Sequence, residues 1–178
     1  MYTIFDIPTM LKNMYIVCDT REQDTPKLRR RLAEMPCKVE RGALAYGDYR
    51  AYTTTPDGEV ICSPVVIERK MNIGEICNNF CKGRERFIKE FSKAKNDGAR
   101  MAIVVEDATW EDIRNGKYNS LMRPEALTSS IFAFACRYNA SVYFCKPQTS
   151  GWFIYNLLYR SLKEELEEKA ENGEEKES

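Results

Sequence analysis

Two short segments of the chain combine acidic and basic residues in a pattern that suits hydrolysis of a phosphodiester bond. One is Gly47-Asp48-Tyr49, and the other is Val65-Val66-Ile67-Glu68-Arg69-Lys70. Because alternate side chains of a strand point to the same face, Glu68 and Lys70 would share one face and Arg69 would point to the other. Asp48 and Glu68 could then bind a hard divalent cation such as Mg²⁺, while Lys70 positions or polarises the attacking water.

An ordinary structural interpretation competes with this one. An Asp after a Gly is usually a turn residue, and a charged triplet is usually a solvated strand end. The apolar residues directly before Glu68 are, however, typical of a buried central strand whose end opens into a cleft. An unpaired charge at such a place is costly, and function is the usual reason for it.

Two further segments favour the functional interpretation. Val17-Cys18-Asp19-Thr20-Arg21-Glu22 ends an apolar strand in acids, and Gly83-Arg84-Glu85-Arg86-Phe87 follows Asn78-Asn79-Phe80. In chain order with Gly-Asp-Tyr and Ile-Glu-Arg-Lys, they resemble the nuclease domain of the XPF family of structure-specific DNA endonucleases. The resemblance covers residues 14 to 166 and is closest to short, single-domain members of bacteria and their phages.

This resemblance implies a restriction-endonuclease-like fold, an α/β domain in which helices flank a mixed central sheet. It also implies cleavage with Mg²⁺ or Mn²⁺ near junctions of double- and single-stranded DNA. It assigns metal binding to Asp48, Glu68 and Asp19, and the role of catalytic lysine to Lys70. The remaining residues carried over are Glu22 as an active-site acid, Arg21 as a phosphate contact and Arg69 as a supporting residue.

The chain departs from the family pattern at one position. The family motif usually continues with an acid four residues after the lysine, where this chain has Gly74, followed by Glu75. A shift of one residue at a helix start rotates the side chain by about 100°. Glu75 would then point away from the metal, which predicts an active but weakened site.

A basic stripe of Lys82, Arg86, Lys89 and Lys93 is expected on the helix that follows Gly83. Phe87, Phe91 and Ala94 would share one face. Beside a nuclease site, the opposite face could follow a phosphate backbone, although the same pattern also fits an ordinary solvated face. The predicted DNA contacts are Arg21, Lys82, Arg84, Arg86, Lys89 and Lys93. Residues 29–31, three consecutive arginines, are a weaker candidate and are interpreted as surface charge.

Length and composition predict one domain. With 178 residues and 43% apolar content, the chain can form one ordinary core. We expect residues 1–169 to form the nuclease domain and 170–178 to form an acidic disordered tail. Residues 164–178 carry eight Glu and two Lys, a net charge of −6, so residues 1–163 carry +6. The basic part suits a partner such as DNA.

The histidine and cysteine content excludes some kinds of active site and metal site. No histidine occurs, which excludes nucleases with a histidine base and makes a structural zinc site unexpected. Seven cysteines without a paired CxxC pattern indicate a reducing compartment, and Cys77 and Cys81 are interpreted as buried packing residues. No membrane-length apolar run or secretion signal is visible, so a cytoplasmic location in a bacterial or phage-infected cell is expected.

Periodicity and turn signals predict a β-first order of elements. Strands are expected at 14–18, 37–41, 48–54, 59–69, 101–106 and 141–145, with a hairpin turn at Pro56-Asp57-Gly58. Helices are expected at 25–35, directly after Lys70, and at 84–95, 124–138 and 152–169. The aromatic residues expected in the core are Trp110, Trp152, Phe132, Phe134, Tyr138, Tyr143 and Phe144.

The function expected is a metal-dependent DNA endonuclease acting on branched, flap or fork structures. Two alternatives remain at this point: a catalytically silent DNA- or partner-binding relative, and a sequence-specific nuclease of the restriction type. Roles in DNA repair, recombination and phage genome processing are all open. The apolar faces of 124–138 and 152–166 could serve a homodimer or be buried in the monomer core.

Overall fold

The computed structural model describes residues 2–177, with side chains as far as residue 172. The strands are β1 (Tyr15–Asp19), β2 (Lys38–Gly42), β3 (Tyr49–Thr54), β4 (Val60–Cys62), β5 (Val65–Lys70), β6 (Arg100–Glu106) and β7 (Ser141–Cys145). The helices are α1 (Ile7–Lys12), α2 (Pro26–Ala33), α3 (Ile73–Phe80), α4 (Arg84–Asn96), α5 (Trp110–Arg114), α6 (Pro124–Tyr138) and α7 (Ser150–Glu177).

One mixed sheet organises the domain. Its strand order is β2-β1-β3-β5-β6-β7, and β4 pairs with β3 outside this path. Strand β3 runs antiparallel to both β1 and β5, whereas β1–β2, β5–β6 and β6–β7 are parallel pairs. The start of β3 therefore lies at the same edge of the sheet as the ends of β1, β5 and β6. This confirms the expected α/β fold with a mixed central sheet flanked by helices.

The two faces of the sheet bury separate cores. Val66, Ile103 and Val105 pack with the apolar faces of α3, α4 and α6. Ile67 and Val104 pack on the other face with α1, α2 and α7. Alternate residues of β5 and β6 thus belong to opposite cores, as the period of a strand requires.

The predicted elements are largely confirmed, with differences at three places. The expected strand 59–69 is two strands, because Ser63 and Pro64 interrupt it and proline cannot donate a hydrogen bond to the ladder. The short helices α1 and α5 were not predicted, since five or six residues carry little periodicity. Helix α7 continues to Glu177, beyond residue 169, and the division of the chain at 169/170 stays a prediction.

Several predicted environments were wrong. Trp110, Phe132 and Trp152 are 40%, 53% and 60% exposed rather than buried in the core. Cys81 is exposed, whereas Cys77 is buried as expected. Arg31 is only 3% exposed and is therefore not surface charge. Helical periodicity alone could not reveal this, because the partners of Arg31 come from other elements.

The apolar faces of α6 and α7 are used inside the monomer. Leu127, Ile131 and Phe134 of α6 lie in one core, and Leu158 and Leu162 of α7 lie in the other. A homodimer stays a prediction and would have to use other surfaces. No helix within residues 2–177 is long and apolar enough to cross a membrane.

Candidate active site

The sheet topology brings the predicted acids and the lysine to one edge. The N–H of Asp48 donates to the carbonyl of Ile67 at 2.6 Å, and the N–H of Asp19 donates to the carbonyl of Asp48 at 2.8 Å. Asp48 lies directly before β3, whose first residue pairs with Ile67 of β5. These main-chain contacts place Asp48 between the ends of β1 and β5.

Gly47 makes this close approach possible. Its φ of +69° is in the left-handed region, and a Cβ there would lie 2.5 Å from Cγ1 of Val66 and 2.9 Å from the carbonyl oxygen of Ile67. A side chain would therefore be strained and would push β3 away from β5. The glycine keeps Asp48 against β5.

Glu68 and Lys70 share one face of β5, as predicted, and form an ion pair. Both are only 5% exposed, and the Nζ of Lys70 lies 5.5 Å from the centre of the Phe87 ring. Asp48 is half-buried, and its Oδ2 accepts the N–H of Arg69 at 2.8 Å. Two carboxylates and one ammonium thus meet in a largely dry pocket.

This environment alters the proton affinity of all three groups. Burial raises the pKa of Asp48 well above its usual range, and the negative charge of Glu68 adds to the effect. Burial also raises the pKa of Glu68, although the charge of Lys70 opposes it. Burial alone would lower the pKa of Lys70, but Glu68 and then Asp48 reverse this, and the pKa is raised. Lys70 is therefore an ammonium at neutral pH.

Asp19 lies nearby but is engaged by other partners. It is 1% exposed, and its Oδ1 accepts the N–H and the Nε of Arg21 at 2.8 and 2.7 Å, while Oδ2 accepts the N–H of Leu44 at 2.6 Å. Burial would raise the pKa of Asp19, but these hydrogen bonds outweigh it and the pKa is lowered. In this arrangement Asp19 holds Arg21, and its role as a metal ligand stays a prediction.

Glu90 of α4 is an acid of the site that the sequence analysis missed. Its Oε1 accepts the N–H of Gly47 at 3.1 Å and lies 3.7 Å from Nη1 of Arg21, and its charge raises the pKa of Glu68. The sequence does show an acid between Phe87 and Phe91, on a helix whose apolar face is buried. The packing of α4 against the sheet is needed to show that this acid reaches the pocket.

The donor set fits Mg²⁺ or Mn²⁺. Mg²⁺ commonly binds through one or two carboxylates and completes its coordination with water and substrate phosphate. Asp48 and Glu68 supply two carboxylates whose mutual repulsion a divalent cation would relieve. Within the described residues no group of three or more acidic, cysteine or histidine side chains is placed to hold a metal.

The structure gives Glu75 a role at the start of α3. Its Oε2 accepts the N–H of Met71 at 2.6 Å, and its own N–H donates to Asn72 Oδ1 at 3.0 Å. Together these hydrogen bonds cap the N-terminus of α3, with Glu75 accepting from the residue before the N-cap Asn72. A Cβ at Gly74 would lie 3.1 Å from the carbonyl oxygen of Asn119 and 3.2 Å from Oδ1 of Asn72, so the position has little room.

On the opposite face of the sheet, Arg69 belongs to a buried ion network that was not predicted. It forms ion pairs with Glu106 at 2.7 Å and with Glu22 at 3.8 Å. Arg31 forms ion pairs with the same two acids, at 3.0 and 3.3 Å. Glu22 therefore lies with Arg69 in this network rather than in the pocket of Asp48 and Glu68.

Of the predicted DNA contacts, all but Arg21 lie on α4 or just before it. Lys82, Arg86, Lys89 and Lys93 are all exposed, while Phe87, Phe91 and Ala94 are buried as expected. Arg86 and Lys93 lie one turn before and one turn after Glu90, so the stripe borders the pocket. Arg84 is half-buried, with its guanidinium 6.0 Å from the centre of the Phe134 ring.

A cleft of about 720 Å³ opens on the other side of the same edge. Its lining includes Arg21, Lys27, Arg69, Met71 and Glu75. The Arg21 side chain is 59% exposed although its guanidinium is held by Asp19. This cleft offers a second basic surface beside the pocket.

The fold and the pocket together define the class of the domain. A mixed sheet flanked by helices, with two carboxylates and a lysine at neighbouring strand ends, is the expected restriction-endonuclease-like arrangement. The ERCC4 domain family matches residues 18–157, so the chain belongs to this family of DNA nuclease domains.

The solved structures that are similar to the chain include the following two. One is XPF from Aeropyrum pernix, with a TM-score of 0.60 and 18% identity over 83% of this chain and 61% of that chain. The other is XPF from Aeropyrum pernix in complex with DNA, with a TM-score of 0.58 and 18% identity over 82% of this chain and 63% of that chain. At this identity the likeness concerns the fold alone, and the chain spans less than two thirds of either structure. No curated protein sequence matches the chain.

Proposed function

We propose that this domain is a metal-dependent DNA endonuclease that hydrolyses phosphodiester bonds at branched, flap or fork structures. The observation that carries the proposal is the convergence of the half-buried Asp48 with the buried Glu68 and Lys70 at one edge of the sheet. Placing ionisable groups in such surroundings is costly. Two of them are acids whose pKa values are raised, an arrangement that favours a bound cation.

Each residue of the pocket has a chemical role in this proposal. Asp48 and Glu68 would hold Mg²⁺ or Mn²⁺, which when bound polarises the phosphate and lowers the pKa of a water molecule. Lys70 keeps its proton at neutral pH, so it donates hydrogen bonds to the developing charge on the phosphate and does not act as a base. The fully buried Phe87 ring gives the ammonium of Lys70 an apolar neighbour.

DNA as the substrate is supported by the two basic surfaces that flank the pocket. The stripe on α4 and the cleft near Arg21 would contact phosphates on either side of the bond to be cut. The Aeropyrum pernix structure in complex with DNA has the same fold, which is consistent with a nucleic-acid partner. Phosphate contacts of this kind give affinity without sequence preference, which favours recognition of DNA shape.

The test is a cleavage assay on matched duplex, single-stranded, flap, fork and four-way-junction DNA. We expect cleavage with Mg²⁺ or Mn²⁺, none in chelator, and a preference for the branched substrates. Undiminished cleavage in EDTA would contradict the metal mechanism. Cutting of one defined duplex sequence would instead identify a restriction-type nuclease.

A catalytically silent DNA-binding module is the second candidate. The observation that favours it is the glycine at position 74, where the family motif usually has an acid. A silent module would bind the same DNA substrates but would cleave none of them, whether Mg²⁺ or Mn²⁺ is added. The same assay, with binding measured in parallel, separates the two candidates.

A further inference from the structure

The buried ion network behind the pocket is built around one carboxylate. Glu106 is 2% exposed, and Arg69 donates to both of its oxygens, from Nε to Oε1 at 3.1 Å and from Nη2 to Oε2 at 2.7 Å. Arg31 contacts the same Oε1, from Nε at 3.1 Å and from Nη2 at 3.0 Å. Such a two-pronged contact fixes the plane of a guanidinium as well as its position.

Glu22 and Tyr49 close the network into a ring. The hydroxyl of Tyr49 donates to Oε2 of Glu22 at 2.9 Å and accepts from Nη1 of Arg31 at 3.1 Å. Arg31 Nη1 also donates to Glu22 at 3.3 Å. Burial raises the pKa of Tyr49 well above its usual range, so its hydroxyl stays a donor. Two arginines and two glutamates balance in charge, which makes the network tolerable in the interior.

The network contacts the residues that adjoin the three groups of the pocket. Tyr49 directly follows Asp48, and Arg69 lies between Glu68 and Lys70. Neighbouring residues of a strand point to opposite faces of the sheet. Contacts that fix Tyr49 and Arg69 on one face therefore also fix the backbone that carries the three side chains of the pocket on the other face. The N–H of Arg69 also donates directly to Oδ2 of Asp48 at 2.8 Å.

We propose that Glu106 and Arg31 are positioning residues for the reaction, which hold Arg69 and Tyr49 so that Asp48 and Glu68 stay aligned for the metal. This inference rests on the proposed function. The pocket itself brings together carboxylates that repel one another, so its geometry must be imposed from outside it. Glu106 and Arg31 supply that restraint from other parts of the chain, since Glu106 lies 37 residues after Arg69 and Arg31 lies 18 residues before Tyr49.



A purely stabilising role makes a different prediction. Replacing a buried ion pair by apolar residues of similar size is often neutral or even stabilising. The double variant Arg31→Met/Glu106→Leu removes one positive and one negative charge and leaves the Arg69–Glu22 pair, so it should fold. The matched control is Arg30→Met/Glu34→Gln, which removes the neighbouring ion pair of α2, at 3.9 Å, without touching Arg69.

The experiment measures Mn²⁺ binding without DNA, by electron paramagnetic resonance, and kcat and KM for cleavage of a flap substrate. For the double variant we expect Mn²⁺ affinity to fall about fivefold or more and kcat to fall about tenfold or more, with KM for DNA and the melting temperature unchanged. The control should behave as the wild type. A folded double variant with wild-type kcat and Mn²⁺ affinity would overturn the inference.

Two further outcomes are informative. If the double variant does not fold, Glu106→Gln, which keeps the size and one oxygen acceptor, is measured in the same way. The same falls in Mn²⁺ affinity and in kcat are expected, and wild-type values of both would overturn the inference. If the wild type cleaves none of the DNA substrates, the proposed function fails. The Mn²⁺ titration would still compare the wild type with the variant, and a loss of affinity would support positioning.

Discussion

At the scale of single residues, the pocket owes its chemistry to groups that are held in unfavourable surroundings. Asp48 and Glu68 are acids with raised pKa values, and Lys70 is an ammonium that is almost fully buried. Asp19 differs from them, because its hydrogen bonds lower its pKa. Replacing the carboxylate by an amide should therefore change the stability of the protein in opposite directions at Asp48 and at Asp19.

The first prediction concerns the rate of cleavage. Asp48→Asn, Glu68→Gln and Lys70→Ala should each lower the cleavage rate by about a hundredfold or more, because each removes a ligand or a charge needed in the transition state. DNA binding should remain largely intact. Single-turnover cleavage and equilibrium binding measure the two effects separately. Lys70→Ala is decisive, since a wild-type rate would mean that the triplet is merely a strand end.

The second prediction concerns stability in chelator. A raised pKa in the folded state means that Asp48 contributes to stability at low pH and that this contribution is lost as the pH rises through the raised pKa. Asp48→Asn should therefore raise the melting temperature at pH 7.

Asp19 serves as the matched control for that experiment. Because its pKa is lowered, its contribution is present above the unfolded pKa and is lost as the pH falls through the folded pKa. Asp19→Asn should therefore lower the melting temperature at pH 7. Thermal unfolding in EDTA measures both variants, and a shift of both in the same direction would contradict the electrostatic account.

At the scale of elements, α4 has three different sides. Phe87 and Phe91 pack in the core, Glu90 contacts the pocket, and the basic stripe faces solvent. The helix thus connects the pocket to a surface that is suited to phosphate. Whether that surface binds DNA depends on its charge and can be tested without disturbing the buried side.

The third prediction is that charge reversal at Arg86, Lys89 and Lys93 weakens binding to all DNA sequences alike. Each lost phosphate contact should reduce the log–log salt slope by nearly one unit. Binding titrations at several salt concentrations measure this.

The control for the stripe reverses three exposed basic residues, Lys12, Arg100 and Arg137. Lys12 and Arg137 lie a few residues before β1 and β7, and Arg100 is the first residue of β6, so all three lie at the opposite edge of the sheet from the pocket. This control variant changes the net charge by the same amount as the stripe variant but should leave the salt slope unchanged. Equal effects of the two triple variants would mean that only net charge matters.

The fourth prediction concerns the start of α3. Gly74→Asp restores the acid of the family motif and should lower the Mg²⁺ concentration for half-maximal cleavage, because an added oxygen ligand favours a hard cation. The Gly74→Asp substitution must also displace the carbonyl oxygen of Asn119, which would lie 3.1 Å from the new Cβ. Gly74→Ala isolates that steric cost and should lower stability without changing the Mg²⁺ requirement. An unchanged requirement in the folded Asp variant would speak against a missing ligand.

At the scale of the whole molecule, the packing of α7 in the core extends at least as far as Ala170. Leu166 is fully buried and Ala170 is 3% exposed, whereas residues 171 and 172 are exposed. Ala170 thus packs in the core although it is the first residue of the predicted acidic tail. The division at 169/170 stays a prediction that truncation can test.

The fifth prediction compares two truncations. Removal of residues 173–178 should leave the free energy of unfolding and the cleavage rate unchanged. Removal of residues 170–178 also deletes the buried Ala170 and should lower the free energy of unfolding by about 1 kcal/mol. Urea unfolding of both proteins checks this, and equal stability would support the boundary at 169/170.

The sequence by itself determined the class of the domain and the face on which each residue of β5 lies. Glu68 and Lys70 opposite Arg69 follow from the period of a strand, which is a local property. The boundaries of α6 and β7 were likewise predicted correctly, because their apolar patterns and flanking residues agree.

Only the tertiary structure decided which residues meet across the sheet. Glu90 reaches Gly47, and Arg31 and Glu106 enclose Arg69, although the local patterns do not show which residues these side chains would meet. Periodicity tells which way a side chain points, whereas strand order and helix packing determine what it points at. The buried network behind the pocket therefore becomes visible only when α2, β5 and β6 are brought together.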